Sequence, residues 1–223
     1  DPIIPPDATA EAEIVARKAG VIAGLDLAAA SFKALDPDAQ FVADVADGAH
    51  VAAGARLARV QGKARALLSA ERVALNYLGH LSGIATLTAA YVAAIDGLKA
   101  RIACTRKTTP GLRAFEKYAV RAGGGVNHRY GLYDAVLVKD NHIAAAGGLA
   151  QALAKLRART GHLVKVEVEV DTLDQLDEAL RFPLDAVLLD NMDIATLKKA
   201  VAMVDGRVLT EASGGLNLET VRK

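Results

Sequence analysis

The sequence predicts an α/β protein: an N-terminal α/β sandwich-like domain over residues 1–70, then an α/β barrel of parallel strands over residues 71–223. Three observations predict it. Short strand-like pieces separated by turn signals fill the first seventy residues. A long helical stretch follows. Beyond Ala100, apolar runs of strand length alternate with helical ones, and strands separated by helices form βαβ units whose strands pair in parallel. The 223 residues are 52% hydrophobic and 24% charged, which suffices for buried cores.

The elements follow in order. Glu11 to Val21 partly alternates, as a half-buried strand does. Gly24-Leu25-Asp26 opens a short helix that runs through Leu35 and stops at Asp36-Pro37. Strand-like pieces lie at Gln40–Val45 and Ala55–Val60, with Asp47-Gly48 and Ala53-Gly54 as turns. A helix is expected from Ala70 to about Ile95. Gly79 and Gly83 fall inside it and each costs roughly 1 kcal/mol relative to Ala, so close helix packing or a break is expected there. Five strands are predicted next, at Arg101–Thr105, Ala135–Lys139, Leu163–Val170, Ala186–Asp190 and Arg207–Glu211. Helical segments lie near Gly111–Arg121, Ala145–Arg159, Thr172–Leu180 and Ile194–Val204.

Composition excludes some functions. Aromatics are 4% and Trp is absent, so stacking platforms for single-stranded nucleic acid are scarce. The net charge is +1, too weak a global field for a general polyanion binder. Anion recognition must therefore come from local clusters. Cys104 is the single cysteine, which fits a reducing compartment. No apolar run approaches the roughly 20 residues of a membrane-spanning helix. The start, Asp1-Pro2-Ile3-Ile4-Pro5-Pro6, has no basic region, apolar signal core or Met.

Chemistry collects at the C-terminal ends of the predicted strands. The first ends in Thr105-Arg106-Lys107-Thr108 and the second in Lys139-Asp140-Asn141-His142. The third carries Glu167, Glu169 and Asp171. The fourth ends in Asp190-Asn191, and the fifth in Glu211-Ala212-Ser213-Gly214-Gly215. Active sites of α/β barrels lie at that end. Arg106, Lys107, Arg129 and Lys139 place cations there, and an arginine fork suits carboxylate or phosphate. Glu169 and Asp190 supply oxygen ligands of the kind Mg²⁺ takes together with substrate phosphates. Ser213-Gly214-Gly215 resembles an anion-binding nest.

Other charged residues read more plainly. Arg113, Lys117 and Arg121 recur every four residues and read as a solvated helix face. Glu169 is expected to be functional, whereas Glu167 is equally a buried ion-pair partner. His80 is expected to pack or hydrogen-bond within a helix. Cys104 reads as a buried strand residue and not as a nucleophile. The Gly123-Gly124-Gly125 run reads as a tight loop that delivers His128 and Arg129.

Several segments together resemble a known family. They are Ala70-Glu71-Arg72-Val73-Ala74-Leu75-Asn76 with Gly79-His80-Leu81-Ser82-Gly83-Ile84-Ala85-Thr86; Thr105-Arg106-Lys107-Thr108-Thr109-Pro110-Gly111-Leu112-Arg113; Lys117-Tyr118-Ala119-Val120; and Gly123-Gly124-Gly125-Val126-Asn127-His128-Arg129. Lys139-Asp140-Asn141-His142, Glu167-Val168-Glu169-Val170, Leu188-Leu189-Asp190-Asn191 and Glu211-Ala212-Ser213-Gly214-Gly215 continue the match. The chain is similar to the quinolinate phosphoribosyltransferases, also called nicotinate-nucleotide pyrophosphorylases (carboxylating), over nearly its whole length. That family's pattern extends beyond both ends of the sequence, with a helical segment before it and a strand and phosphate loop after it.

The resemblance implies transfer of phosphoribosyl from phosphoribosyl pyrophosphate to quinolinate, with Mg²⁺, in a cytoplasmic step of NAD biosynthesis without nucleic-acid or membrane partners. By its pattern Arg106, His128, Arg129 and Lys139 surround the quinolinate carboxylates, with Thr105 in the same substrate-binding set. Lys107 and Lys139 face phosphoribosyl pyrophosphate, and Glu169 and Asp190 hold Mg²⁺ or the ribose hydroxyls. Lys139, Glu169 and Asp190 are the implied catalytic set. Ser213, Gly214 and Gly215 lie by the 5-phosphate. Arg72 reaches the site of a neighbouring subunit, so at least a homodimer is implied. A different class stays open at Asp47–Ala58, which resembles half of a biotinyl or lipoyl carrier domain. That reading needs a lysine on a hairpin between two such halves, and none is apparent.

Overall fold

The structure is a computed structural model that describes residues 3–223. It divides into two compact units, one running to His128 and the other spanning Arg129–Lys223.

The first unit contains β1 (Thr9–Val15), β2 (Gly20–Val21), α1 (Leu25–Lys33), β3 (Gln40–Ala43), β4 (His50–Val51), β5 (Arg56–Lys63), α2 (Ala64–Ala94) and α3 (Arg113–Ala122). β1, β5 and β3 form an antiparallel sheet in that order, and both Ala12 and Phe41 register against Val60. A short β2–β4 pair lies beside it. One core joins Ile14, Phe32, Leu57, Val60, Leu67, Ala74 and Leu78, so α1 and α2 cover one side of the sheet, as an antiparallel sheet permits. The buried residues of α2 are Ala64, Leu67, Ala70, Ala74, Leu78, Leu81, Ala85 and Thr88. Their spacing of three and four makes a single helical stripe.

Gly79 and Gly83 neither break α2 nor pack closely within the described chain, since a Cβ at either would meet nothing within 4 Å. The glycine penalty is small beside the cooperativity of a long helix with a buried stripe. The expected strand at Arg101–Thr105 is also reduced. Only a parallel bridge between Ala103 and Val126 forms there, flanked by Cys104 N–H donating to Val126 O at 3.1 Å and Val126 N–H to Ile102 O at 2.8 Å.

The second unit contains β6 (Val136–Val138), α4 (Asp140–Ala146), α5 (Leu149–Arg157), β7 (Val166–Val170), α6 (Leu173–Ala179), β8 (Ala186–Asp190), α7 (Ile194–Val204) and β9 (Leu209–Ser213). Its strands pair in parallel in the order β6-β7-β8-β9. This is an α/β sheet with helical crossovers, the parallel part of the predicted fold. Val166, Val168, Val170, Val187 and Leu189 meet Leu149, Leu153, Leu176, Ala200 and Val204 in its core. Thr172 caps α6, its Oγ1 accepting from Gln175 N–H, and Asp193 caps α7 by accepting from Thr196 N–H at 2.7 Å. Among the described residues, no helix is long and apolar enough to cross a membrane.

Candidate active site

In the second unit, parallel pairing sets the C-terminal ends of four strands side by side. Lys139 follows β6 directly and is half-buried. Its Nζ donates to Glu169 Oε2 at 2.6 Å, a bond between the ends of neighbouring strands. Its backbone N–H donates to His142 Nδ1 at 3.0 Å, which fixes the start of α4. Asp190 ends β8 and registers with Ser213 of β9. Asp190 Oδ2 accepts from Asn191 Nδ2 at 2.8 Å, and Asn191 N–H donates to Ser213 O at 3.0 Å. Gly214 follows with φ +83°. A Cβ there would clash with the Asn191 amide oxygen and lie 2.8 Å from Asn191 N, so the close passage of these two loops requires glycine. Lys139, Glu169, Asp190, Ser213, Gly214 and Gly215 therefore share one edge of one sheet. Arg129 opens this unit and is half-buried.

Glu167 lies one pleat behind Glu169 and is buried. Its carboxylate oxygens approach those of Glu211 within 4.8 Å.

In the first unit, the parallel bridge at Ala103 and Val126 makes the residues after each leave in the same direction. Thr105, Arg106 and Lys107 follow one side of the bridge, and Asn127 and His128 follow the other. Thr105 Oγ1 accepts from Lys107 N–H at 3.0 Å, closing a small turn. Arg113 Nε donates to Thr108 Oγ1 at 3.1 Å. Arg106 Nε is buried and has no hydrogen-bond partner. An orphaned buried donor of this kind calls for an acceptor, and a carboxylate or phosphate supplies one. Arg72 stands exposed on α2.

Two expectations for this unit need correction. Lys117 is not on a solvated face: it is 1% exposed. Its Nζ donates to Cys104 Sγ at 2.9 Å and to His128 O at 3.0 Å. Cys104 is half-buried and lies beside a bridge, outside any strand. Arg113, Glu116, Lys117 and Val120 follow the i, i+3, i+4, i+7 rule and share one face of α3. Reading only every fourth residue hid that face.

The sequence reading also overlooked Glu116. It is 8% exposed, accepts from Thr109 N–H at 3.1 Å and shares a 2.8 Å bond with His80 Nε2. Burial alone raises its pKa. Its hydrogen bonds with Thr109 and His80 outweigh that and hold the carboxyl below its ordinary value. His80 is thus a hydrogen-bonding helix residue, as expected. Beside it, Tyr118 donates to Asp47 Oδ2 at 2.7 Å. Burial and the Asp47 bond push its pKa up to about 12.

Residues 1–82 match the quinolinate phosphoribosyl transferase N-terminal domain and residues 84–223 match the C-terminal domain of the same family. The chain is 48% identical over 226 residues to a nicotinate-nucleotide pyrophosphorylase (carboxylating) of Mycobacterium leprae, covering 97% of this chain and 78% of that protein. Among solved structures, NadC from Streptococcus pyogenes is 42% identical with a TM-score of 0.94, covering 100% of this chain and 79% of that one. The nicotinate-nucleotide pyrophosphorylase of Francisella tularensis is 39% identical with a TM-score of 0.93, over 97% and 77%. With both of its domains matched in order along one chain, the protein belongs to the quinolinate phosphoribosyltransferase family.

Proposed function

We propose that the protein transfers phosphoribosyl from phosphoribosyl pyrophosphate to quinolinate with loss of CO₂, giving nicotinate mononucleotide and diphosphate in cytoplasmic NAD biosynthesis. The observation that carries this reading is the shared sheet edge in a member of this family: the Lys139–Glu169 pair beside Asp190 and the Ser213-Gly214-Gly215 turn. In this reading Arg106, His128 and Arg129 take the two carboxylates of quinolinate, with Thr105 beside them. Lys107 and Lys139 face the diphosphate, and the Ser213-Gly214-Gly215 backbone receives the 5-phosphate.

Leaving of diphosphate from the anomeric carbon develops positive charge on the ribose and negative charge on the leaving oxygens. Lys139 and Lys107 stabilise the leaving oxygens, while Glu169 and Asp190 stabilise the ribose cation. Attack by the pyridine nitrogen quaternises it, the positive nitrogen stabilises the electron pair left at C2 as CO₂ departs, and a proton from water then completes the C2–H bond. No enzyme nucleophile enters. Glu169 and Asp190 also fit Mg²⁺, since they are half-buried oxygen donors on neighbouring strand ends and a diphosphate would complete the shell. When bound there, the ion would supply charge neutralisation to the leaving group.

A homodimer with shared sites is part of the proposal. Arg72 is exposed on α2 together with Leu68, Val73, Leu75 and Leu87, a face suited to a second copy. Incubating the full-length protein with both substrates and Mg²⁺ should yield nicotinate mononucleotide. Its absence at millimolar substrates overturns the proposal.

A further inference from the structure

We propose that Glu116 and Lys117, adjacent buried residues of α3, are positioning residues that brace the two substrate-carrying segments. Glu116 acts on the turn bearing Arg106 and Lys107, and Lys117 acts on His128. The inference rests on the functional reading above, which places those residues against substrate.

Two ionisable side chains side by side in the buried face of a helix need a reason, because desolvating each is unfavourable unless hydrogen bonds compensate. Packing of α3 does not require them: Phe115, Ala119 and Ala122 already seat the helix against Val21, Leu81 and Ala85. The polar contacts point elsewhere. Glu116 Oε2 accepts from Thr109 N–H, three residues beyond Arg106. Within that turn Lys107 N–H donates to Thr105 Oγ1, and Arg113 donates to Thr108 Oγ1 and to Arg106 O, all over short stretches of chain. Glu116 therefore fixes the far end of the turn to a helix, while its Oε1 bond to His80 ties it to α2.

Lys117 spans the other segment. Its Nζ reaches Cys104, two residues before Arg106, and the carbonyl of His128, one residue before Arg129. The same cation thus clasps both segments just beyond the Ala103–Val126 bridge. The unpartnered Nε of Arg106 lies in the segment so held. Rigid support matters because a charged hydrogen bond to substrate counts in binding only when its donor is held in place, and one such bond is worth about tenfold or more in affinity.

The test is steady-state kinetics of the full-length protein with both substrates, on Glu116→Ala, Glu116→Gln and Lys117→Met, with circular dichroism to report folding. Glu116→Ala should raise the quinolinate KM about tenfold or more, and the KM for phosphoribosyl pyrophosphate with it, because Arg106 and Lys107 share one turn. Glu116→Gln keeps an acceptor for Thr109 N–H and should stay close to wild type. Lys117→Met should raise the quinolinate KM most, because Lys117 holds both the segment of Arg106 and the carbonyl of His128. A merely structural role would lower the active fraction, and hence kcat, with both KM values unmoved. That result in folded Glu116→Ala overturns the brace, and so does Glu116→Gln behaving like Glu116→Ala. Should Lys117→Met not fold, the Glu116 pair still decides. Wild type without turnover overturns the functional reading, and the brace with it. Wild type with turnover and unmoved KM values in the variants overturns the brace alone.

Discussion

Arg106 shows how a single side chain can be half legible. Its type and its place after a strand marked it as an anion ligand, but the orphaned Nε appears only in three dimensions. Arg106→Ala and Arg129→Ala should each weaken quinolinate binding by about 1.5–3 kcal/mol per charged hydrogen bond lost, which titration calorimetry reads directly. Glu169→Ala should chiefly impair the phosphoribosyl pyrophosphate step, because it removes the acceptor that holds Lys139 Nζ. Pre-steady-state measurement of diphosphate release would check this, and an unchanged rate would contradict the assignment. Lys139, Glu169 and Asp190 were legible by their strand-end placement, since Lys139 follows β6, Glu169 stands one residue before the end of β7 and Asp190 ends β8. Glu116 and Lys117 were not, since charges on a short helix look solvent-facing until their distant partners, Thr109, Cys104 and His128, are known.

Among the elements, those with strong punctuation came out as expected. The predicted spans Ala186–Asp190 and Ile194–Val204 coincide with β8 and α7, one a continuous apolar run and the other opened by the capping Asp193. Arg101–Thr105 forms no strand, because its apolar residues serve a single bridge at Ala103. α4 was missed because its start depends on the Lys139–His142 bond and not on an apolar stripe. The α2–α3 contact makes its own prediction. A Cβ at Gly123 would collide with the carbonyl oxygen of Ala85 and sit 2.8 Å from Thr88 Cβ. Gly123→Ala should therefore lower unfolding free energy by about 1–3 kcal/mol, measured by urea denaturation. An unchanged midpoint would show that the two helices separate easily.

For the molecule as a whole, the α/β class and the parallel sheet of the second part were legible from periodicity, whereas the antiparallel pairing of β1, β5 and β3 comes from the structure. Stability against pH should be limited by different groups in the two units. Asp185 accepts from Lys165 Nζ at 2.6 Å and from Val166 N–H at 2.9 Å. Those bonds hold its pKa below the ordinary 3.8, so its contribution is present above that value and lost as pH falls below it. Asp185→Asn should destabilise the protein at neutral pH and flatten the acid limb of its melting curve. Tyr118 works in the opposite sense. Its folded pKa, about 12 against an ordinary 10.0, keeps its contribution whole below pH 10 and loses it as pH rises towards 12. Tyr118→Phe should abolish that alkaline decline in a thermal-melting series.

The buried neighbours on α3 also dictate where the chain can change length. Successive residues of a helix are turned by about 100° from one another. Deleting one residue between Thr109 and Glu116 would bring Lys117 to the place of Glu116, setting a cation against an N–H donor. Inserting one would bring Phe115 there. Variation in length should therefore be excluded from Thr109 to Lys117 and collect instead at turns such as those of Gly54 and Gly161, where an added Cβ meets nothing within 4 Å.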